Sequence, residues 1–298
     1  MRSDIAFKTT DGTTLRGWHY APTNSGKYAT VVMAHGFSAV KEMYLDEYAE
    51  AFREAGLASI VYDNRNFGES DGEPRQEIDP WLQIRDYSDA ITFARTLEQT
   101  DRDRIGIWGS SYSGGHVLVV AAIDRRVKCV VSQVPVISGW QNFRRLVRAD
   151  FLVPLQLGLH ADRDNRAGGG APAMLPVVAQ DPMAPSALPT ADSYKWFTET
   201  AAARAPSWRN EVTLRTVEYG FGYEPGAYIG MISPTPLMMI VGIHDHLTVS
   251  DLAISAFERA YEPKRLVLMP GGHFDAYVEM FEQSAGPACE WFRCHLQS

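Results

Sequence analysis

The stretch that decides the fold is Ile105-Gly106-Ile107-Trp108-Gly109-Ser110-Ser111-Tyr112-Ser113-Gly114-Gly115, which runs into the apolar segment 116–122. The residues before the turn predict a buried strand, and those after it predict a helix. A strand that ends in a small-residue turn before a helix holds one hydroxyl at a strained, exposed corner, as in the G-x-S-x-G nucleophile elbow. We assign this corner to Ser111, because Gly109 lies two residues before it and Ser113 two residues after it.

Two alternatives to this assignment stay open at the level of sequence. A shifted register places Ser113 at the corner, with Ser111 two residues before it and Gly115 two residues after it. A turn rich in glycine and serine also occurs as a plain tight connection or as a phosphate cradle. The order of residues further along the chain favours the nucleophile.

The rest of the chain alternates between strand and helix patterns. Asp11-Gly12 marks the turn of an opening hairpin, and Asp79-Pro80 is typical of a helix start. Thr248 or Ser250 is the predicted cap of a later helix. This alternation predicts an α/β fold with a mostly parallel sheet of about eight strands and helices on both faces. The predicted strands are 5–9, 15–20, 30–34, 58–62, 105–108, 127–134, 236–241 and 265–269. The predicted helices are 41–55, one from Pro80 to Leu97, one after the elbow, one carrying Leu252 to Phe257 and one through Tyr277, Met280 and Phe281.

The segment 136–233 breaks this alternation. Residues 140–151 have a helical pattern, whereas Gly168-Gly169-Gly170 and several prolines interrupt any regular period. We predict an α/β core of 1–135 and 234–298 with 136–233 as an inserted lid (cap), hinged near the glycines. Four aromatic residues of this segment are candidates either for the pocket wall or for packing inside the lid: Trp140, Phe143, Trp196 and Tyr223.

A serine hydroxyl needs a base within hydrogen-bond reach and a third group that orients the base. His273 follows the last predicted strand in Gly271-Gly272-His273, and Asp245 follows the preceding strand. The order Ser111, Asp245, His273 is the one expected for a nucleophile on such an elbow. Asp275 is the alternative acid, but it sits on the same short loop as His273.

Acyl transfer also needs hydrogen-bond donors for the oxyanion. The backbone N–H of Tyr112, directly after the nucleophile, is one candidate. The other is the backbone N–H of Phe37, in His35-Gly36-Phe37 after the third strand. We interpret His35 and His116 as structural.

Composition narrows the class of protein. The 36 acidic against 28 basic residues give a net charge of −8, which argues against nucleic acid or an anionic membrane as the main partner. The amino terminus carries charges where a signal peptide needs an apolar stretch, and no run approaches the length of a membrane span. We therefore expect a cytoplasmic protein, and its three cysteines do not form a disulfide or zinc pattern.

No cofactor or metal is implied by the motifs. His244 and His246 flank Asp245 without a further cluster of ligands. Gly220-Phe221-Gly222 lacks a third glycine and does not join a strand to a helix, so a dinucleotide site is unsupported.

With these motifs the sequence resembles the α/β-hydrolase superfamily over 5–135 and 234–296. The resemblance rests on HGF at 35–37, DNRNFGES at 63–70, GSSYSGG at 109–115, GIHDHLT at 242–248 and GGHFD at 271–275. Within the superfamily the chain is most similar to dienelactone-hydrolase-like and Xaa-Pro-peptidase-like esterases and to fungal polyketide-transferase-like hydrolases. The resemblance implies that Asp63, Arg65, Gly68 and Ser70 shape the wall of the site. Ser113 departs from the glycine of the family elbow.

The sequence predicts a serine hydrolase that cleaves a carboxylic ester of a small or medium-sized substrate through an acyl-enzyme. The alternatives are an acyltransferase or thioesterase of a biosynthetic, polyketide-like pathway, a carbon–carbon hydrolase, a peptidase, and a ligand receptor without turnover. The expected partner is a small-molecule ester or thioester. The oligomeric state is left open, with a homodimer as one option.

Overall fold

The computed structural model describes residues 2–23, 26–181 and 183–297. Its strands are β1 (Arg2–Lys8), β2 (Thr14–Tyr20), β3 (Tyr28–Ala34), β4 (Ala58–Tyr62), β5 (Thr100–Ser110), β6 (Val127–Gln133), β7 (Met174–Leu175), β8 (Val212–Thr213), β9 (Leu237–Gly242) and β10 (Lys264–Met269). Its helices are α1 (Leu45–Glu54), α2 (Pro80–Ala94), α3 (Tyr112–Ile123), α4 (Gly139–Leu146), α5 (Ala149–Ala167), α6 (Ala191–Arg204), α7 (Leu214–Phe221), α8 (Ser250–Arg259) and α9 (Phe281–Leu296).

Eight of these strands form one sheet in the order β1-β2-β4-β3-β5-β6-β9-β10. The first two strands are an antiparallel hairpin, and β2 pairs antiparallel with β4. Every further pairing, from β4 to β10, is parallel. The predicted mostly parallel sheet of about eight strands is therefore confirmed.

Helices cover both faces of the sheet. Helices α1 and α9 contact each other and the sheet on one face, whereas α2 contacts α3, which packs on β5 and β6 from the other. Strands β3 and β9 are consequently buried at every residue. This explains why both read as continuous apolar runs and not as alternating patterns.

Several helix boundaries differ from the predicted ones. Helix α1 begins at Leu45 and not at Lys41, because Tyr44 takes the left-handed conformation (φ 71°) immediately before it. Helix α8 begins after Val249, since the hydroxyl of Thr248 is engaged elsewhere. Tyr277 lies in a 3₁₀ turn before α9. The predicted cap of α2 is confirmed, since the Asp79 carboxylate accepts hydrogen bonds from two backbone N–H groups of the first turn.

The segment between β6 and β9 carries α4 to α7, with β7 and β8 paired as a small antiparallel ribbon. The predicted helical stretch 140–151 is split at Val147, which has an extended backbone (ψ 126°). Thr213 donates its N–H to Gln76 O at 3.0 Å, and Thr216 accepts a bond from Ile78 N at 2.9 Å, so the segment is tied to the core. Within the described ranges, no helix combines the length and apolarity needed to cross a bilayer.

Candidate active site

Ser111 occupies the turn between β5 and α3 with φ 61° and ψ −119°. A residue with a side chain rarely adopts this conformation, and such strain persists only where the surroundings enforce it. Here Ser111 N donates to Gln133 O at 2.9 Å, and Ser111 O accepts from Val136 N at 3.0 Å. Gln133 is the last residue of β6 and pairs with Ser110, and Val136 lies three residues further on, so the end of the sheet holds the corner.

Small residues make room for this corner. A Cβ on Gly109 would lie 2.3 Å from Ser113 O, and a Cβ on Gly36 would lie 2.8 Å from Ser111 Cβ. Real Cβ atoms do not come this close to other atoms, so the observed geometry at both positions requires glycine. The requirement at Gly36 was not visible in the sequence, because it arises only where the loop after β3 meets the elbow.

The structure also explains the serine that replaces the last glycine of the motif. Ser113 is the second residue of α3, fully buried, and its hydroxyl bonds to the Tyr87 hydroxyl at 2.6 Å. Tyr87 in turn donates to Trp108 O at 3.0 Å and accepts from Ala34 N at 3.0 Å. Ser113 thus ties α3 to α2 and to two strands, and the shifted register with Ser113 at the corner does not match this geometry.

The loops after β9 and β10 bring two further predicted residues to Ser111. His273 Nε2 lies 3.0 Å from Ser111 Oγ, and His273 Nδ1 lies 2.7 Å from Asp245 Oδ2. Strands β9 and β10 pair in parallel, with Gly242 opposite Met269, so the loops that follow them are neighbours. His273 and Asp245 are 1% and 4% exposed, which keeps bulk water from competing for these bonds.

Asp245 is held by more than the imidazole. Its Oδ1 accepts hydrogen bonds from Leu247 N and Thr248 N, both at 2.8 Å. The hydroxyl of Thr248 lies 2.9 Å from Oδ2. These bonds fix the orientation of the carboxylate. The alternative acid, Asp275, accepts from Gly272 N at 2.7 Å on its own loop.

The two predicted oxyanion donors lie beside the corner. Among the described residues, neither Phe37 N nor Tyr112 N has a hydrogen-bond acceptor, and the two aromatic rings meet edge to face at 5.6 Å. His35 shapes the loop: its Nδ1 accepts from Gly36 N at 2.8 Å, so Nε2 carries the proton and donates to Met43 O at 2.8 Å. Burial lowers the pKa of His35 to about 4, which keeps this tautomer neutral.

The motif at 63–70 supports this loop from behind. Asp63 Oδ1 accepts from Lys41 N at 2.8 Å, and Asn64 Nδ2 donates to His35 O at 2.9 Å. None of Asp63, Arg65, Gly68 and Ser70 lines the space around Ser111. The resemblance therefore located the right loop, but Asn64, which it did not single out, makes the contact nearest the site.

One acidic cluster has the spacing of a metal site. Carboxylate oxygens of Glu42, Asp63 and Glu69 lie within 4.8 Å of one another. Lys41 Nζ donates to all three at 2.8 Å each, so a cation already occupies the centre of the cluster as part of the protein. His244 and His246 are exposed beside the buried Asp245 and are not part of this cluster.

Two spaces adjoin Ser111, and we name them the apolar pocket and the aromatic slot. The apolar pocket lies mainly between the core and α4 and α7, and its lining includes Phe37, Ser111, Tyr112, Val136, Asn142, Phe143, Leu146, Leu188, Thr216, Val217, Phe221, Leu247 and Thr248. The aromatic slot is lined by His35, Gly36, Phe37, Ala39, Ser111, Leu188, Trp196, Phe197, Leu247, His273, Phe274 and Tyr277. Among the described residues no Asp, Glu, Lys or Arg side chain lines either space.

Of the four aromatic candidates in the inserted segment, two line the spaces beside Ser111 and two do not. Phe143 lines the apolar pocket, and Trp196 lines the aromatic slot. Tyr223 is fully buried and bonds to His116 Nδ1 at 2.7 Å, and Trp140 is 42% exposed and packs beside Phe143. Thr248, Asn64 and Gly36 are contributors that the sequence analysis did not assign to the site.

Comparison with known proteins fits this fold and geometry. The family model described as X-Pro dipeptidyl-peptidase (S15 family) matches residues 11–275. A thiohydrolase of Eupenicillium brefeldianum is 32% identical over 92% of this chain and 88% of its own length. A polyketide transferase of a Penicillium species is 32% identical over 99% of this chain and 97% of its own length.

Solved structures agree with this relationship. The crystal structure of an α/β hydrolase from Penicillium superposes with a TM-score of 0.86 at 28% identity, covering all of both chains. These names extend the recognised resemblance and favour the thioesterase and acyltransferase alternative over the main sequence interpretation of a carboxylic ester hydrolase. The chain therefore belongs to the X-Pro dipeptidyl-peptidase (S15) family and has the α/β-hydrolase fold.

Proposed function

We propose that this protein is a serine-dependent thioester hydrolase that transfers an apolar acyl group from a thiol to Ser111 and then to water. The observation that carries the proposal is the hydrogen-bonded chain from Ser111 Oγ through His273 to Asp245. Ser111 also lines the apolar pocket. The thiohydrolase relatives support the choice of a thioester over an oxygen ester.

In the first step His273 Nε2 accepts the proton of Ser111 as Oγ attacks the thioester carbonyl carbon. The carbonyl oxygen becomes an oxyanion, and the free N–H groups of Phe37 and Tyr112 bind it. The carbon–sulfur bond then breaks, and the imidazolium protonates the departing thiolate. Asp245 stabilises the imidazolium and keeps Nε2 directed at the serine.

In the second step a water molecule takes the place of the thiol. His273 accepts its proton while the water oxygen attacks the acyl carbon, and Ser111 leaves with the proton from the imidazolium. Residues 136–233 act in this scheme as a lid, since they supply α4 and α7 to the apolar pocket and α6 to the aromatic slot.

The lining of the pocket argues against a peptidase, despite the family name. An enzyme that removes dipeptides from a free amino terminus needs a carboxylate for the ammonium group, and the described lining contains none. Its polar side chains are already satisfied: Asn142 donates to Leu247 O at 2.8 Å, and Thr216 accepts from Ile78 N. A neutral acyl chain fits this lining.

Acyl transfer to a second substrate is the other candidate, because two groups of relatives carry the names polyketide transferase and acyltransferase. It shares the first step with hydrolysis and differs only in the acceptor. Identifying the nucleophile therefore does not identify the acceptor, which needs its own test.

The test uses a matched pair of substrates, the hexanoyl thioester of N-acetylcysteamine and the corresponding oxygen ester. We expect a burst of free thiol equal to the enzyme concentration, with acyl-Ser111 detected by intact-protein mass spectrometry. Ser111→Ala abolishes both signals, while Ser113→Ala retains the burst as a matched control. Unchanged turnover in Ser111→Ala overturns the proposal, and turnover of the oxygen ester alone restores the carboxylic ester hydrolase.

A further inference from the structure

Only one of the two spaces beside Ser111 is lined by the imidazole of His273. Both include Ser111, Phe37, Leu188 and Leu247 in their walls, but only the aromatic slot includes His273. The imidazole must reach the leaving group in the first step and the acceptor in the second, because it gives a proton to one and takes a proton from the other. The acyl chain needs no such contact.

From this difference we propose that the aromatic slot is the acceptor site, that the apolar pocket holds the acyl chain, and that Trp196 selects water over larger acceptors. The inference rests on the proposed function and deepens it by naming the residue that determines the acceptor. In the step concerned, the oxygen of the acceptor bonds to the acyl carbon as its proton passes to His273 Nε2. The bond from that carbon to Ser111 Oγ then breaks, and the proton moves on to Oγ.

The size of the slot fits water. Its cavity is about 10 Å³, which is close to the smallest cavity volume that holds one water molecule. Trp196 fills much of the wall: it stacks on Phe274 at 4.8 Å and lies 5.3 Å from Tyr277, ring centre to ring centre. Among the described residues, its buried indole N–H has no hydrogen-bond acceptor.

The slot has one wall from the core and one from α6. Tyr277 and Phe274 belong to the loop after β10, whereas Trp196 and Phe197 lie on α6. The C-terminal end of α6 is fastened to α1, since Arg204 bonds to Asp46 and Glu47 at 2.8 Å. The proposal therefore includes a movement of α6: its outward displacement lets a thiol with a long arm leave, and its return leaves room for water alone.

The experiment measures how the acyl-enzyme divides between water and a series of alcohols from methanol to butanol. The hexanoyl thioester is the acyl donor, and mass spectrometry gives the ratio of ester to free acid. In the unaltered protein we expect this ratio to fall steeply with alcohol length. Trp196→Ala should raise the butyl ester to acid ratio about tenfold or more, because it removes a steric exclusion of several methylenes.

Two further variants keep the test decisive. Phe197→Leu enlarges the same wall, should change the ratio in the same direction, and serves if Trp196→Ala fails to fold. Phe221→Ala widens the apolar pocket; it should shift the preferred acyl length and leave the ratio of butyl ester to acid as it was.

The outcomes separate the inference from the proposed function. A normal thiol burst with an unchanged ratio in both slot variants overturns the acceptor site and leaves the acyl-serine mechanism standing. A raised ratio in Phe221→Ala alone reverses the two sites and equally overturns the inference. A burst that persists in Ser111→Ala instead defeats the function on which the inference rests.

Discussion

Thr248 is the residue whose replacement tests the geometry of the site most directly. Its hydroxyl lies 2.9 Å from Asp245 Oδ2 and 3.1 Å from His273 Nδ1, while its backbone N–H donates to Asp245 Oδ1. Thr248→Val removes the hydroxyl and keeps the shape and the backbone bond. The carboxylate then has one hydrogen bond fewer with which to orient the imidazole.

The magnitude follows from the charge of the acceptor. A hydrogen bond to a charged group contributes about 1.5 to 3 kcal/mol, and each 1.36 kcal/mol is about a factor of ten in rate. Asp245 keeps its two backbone donors on Oδ1, so the lower part of that range applies. We expect kcat/KM for the thioester to fall by about 10- to 30-fold.

The assay compares kcat/KM and the thiol burst in Thr248→Val and Thr248→Ser. The serine variant retains the hydroxyl and should recover activity to within a few-fold of the unaltered protein. One other acceptor competes for the Thr248 proton, since Val134 O also lies 2.9 Å from Oγ1. Equal activity of the valine and serine variants would indicate that the proton goes to Val134 O and would refute the proposed role of the Thr248 hydroxyl in orienting Asp245.

Three further predictions concern other parts of the structure. Gly36→Ala should fold but lose about 100-fold in kcat, because its Cβ would lie 2.8 Å from Ser111 Cβ and displace the serine. Thermal unfolding and steady-state kinetics test these two expectations, and a near-normal kcat would contradict the second. Burial lowers the pKa of His116 to about 3 from 6.5, so only the unfolded chain takes up this proton as the pH falls from 6.5 towards 3. Between pH 7 and 5 the free energy of unfolding should therefore fall by about 2 kcal/mol more in the unaltered protein than in His116→Gln, as measured by urea unfolding. Equal losses in the two proteins would contradict this prediction. Arg204→Met removes the partly exposed ion pairs to Asp46 and Glu47. It should lower the free energy of unfolding by about 1 kcal/mol at low salt and by less at high salt. A loss that does not depend on salt would mean that packing of Arg204 on Tyr44 dominates.

The His116 prediction has a clear structural origin. The neutral imidazole uses both ring nitrogens, because Nε2 donates to Gln83 Oε1 at 2.9 Å and Nδ1 accepts from the Tyr223 hydroxyl at 2.7 Å. A proton on Nδ1 would leave it facing a hydroxyl that donates to it, within a fully buried position. Glutamine provides one donor and one acceptor without a charge that titrates in this range.

Local sequence patterns were sufficient for the strand ends and for the turn that carries Ser111. The order of strand, elbow turn and helix at β5 and α3 was predicted correctly, because a buried strand, a small-residue turn and an apolar helix each have their own signal within a few residues. The bounds of the strand were not, since β5 runs from Thr100 to Ser110 and the prediction covered only 105–108. The same holds for Asp245 and His273, which were located by their position directly after apolar strands. The structure joins all three by hydrogen bonds, and their catalytic roles stay a proposal until Ser111→Ala is measured.

What only the tertiary structure decided are the contacts between segments far apart in the chain. Ser113 is tolerated in place of glycine because Tyr87 of α2 reaches it, Gly36 is required because the loop after β3 touches the elbow, and Trp196 of the inserted segment closes the slot beside His273. Thr248 was one of two predicted caps of α8, yet its hydroxyl lies against Asp245 and His273. The sequence around a residue indicates its local secondary structure. The partners of its side chain depend instead on how β9, β10 and α6 are assembled around Ser111.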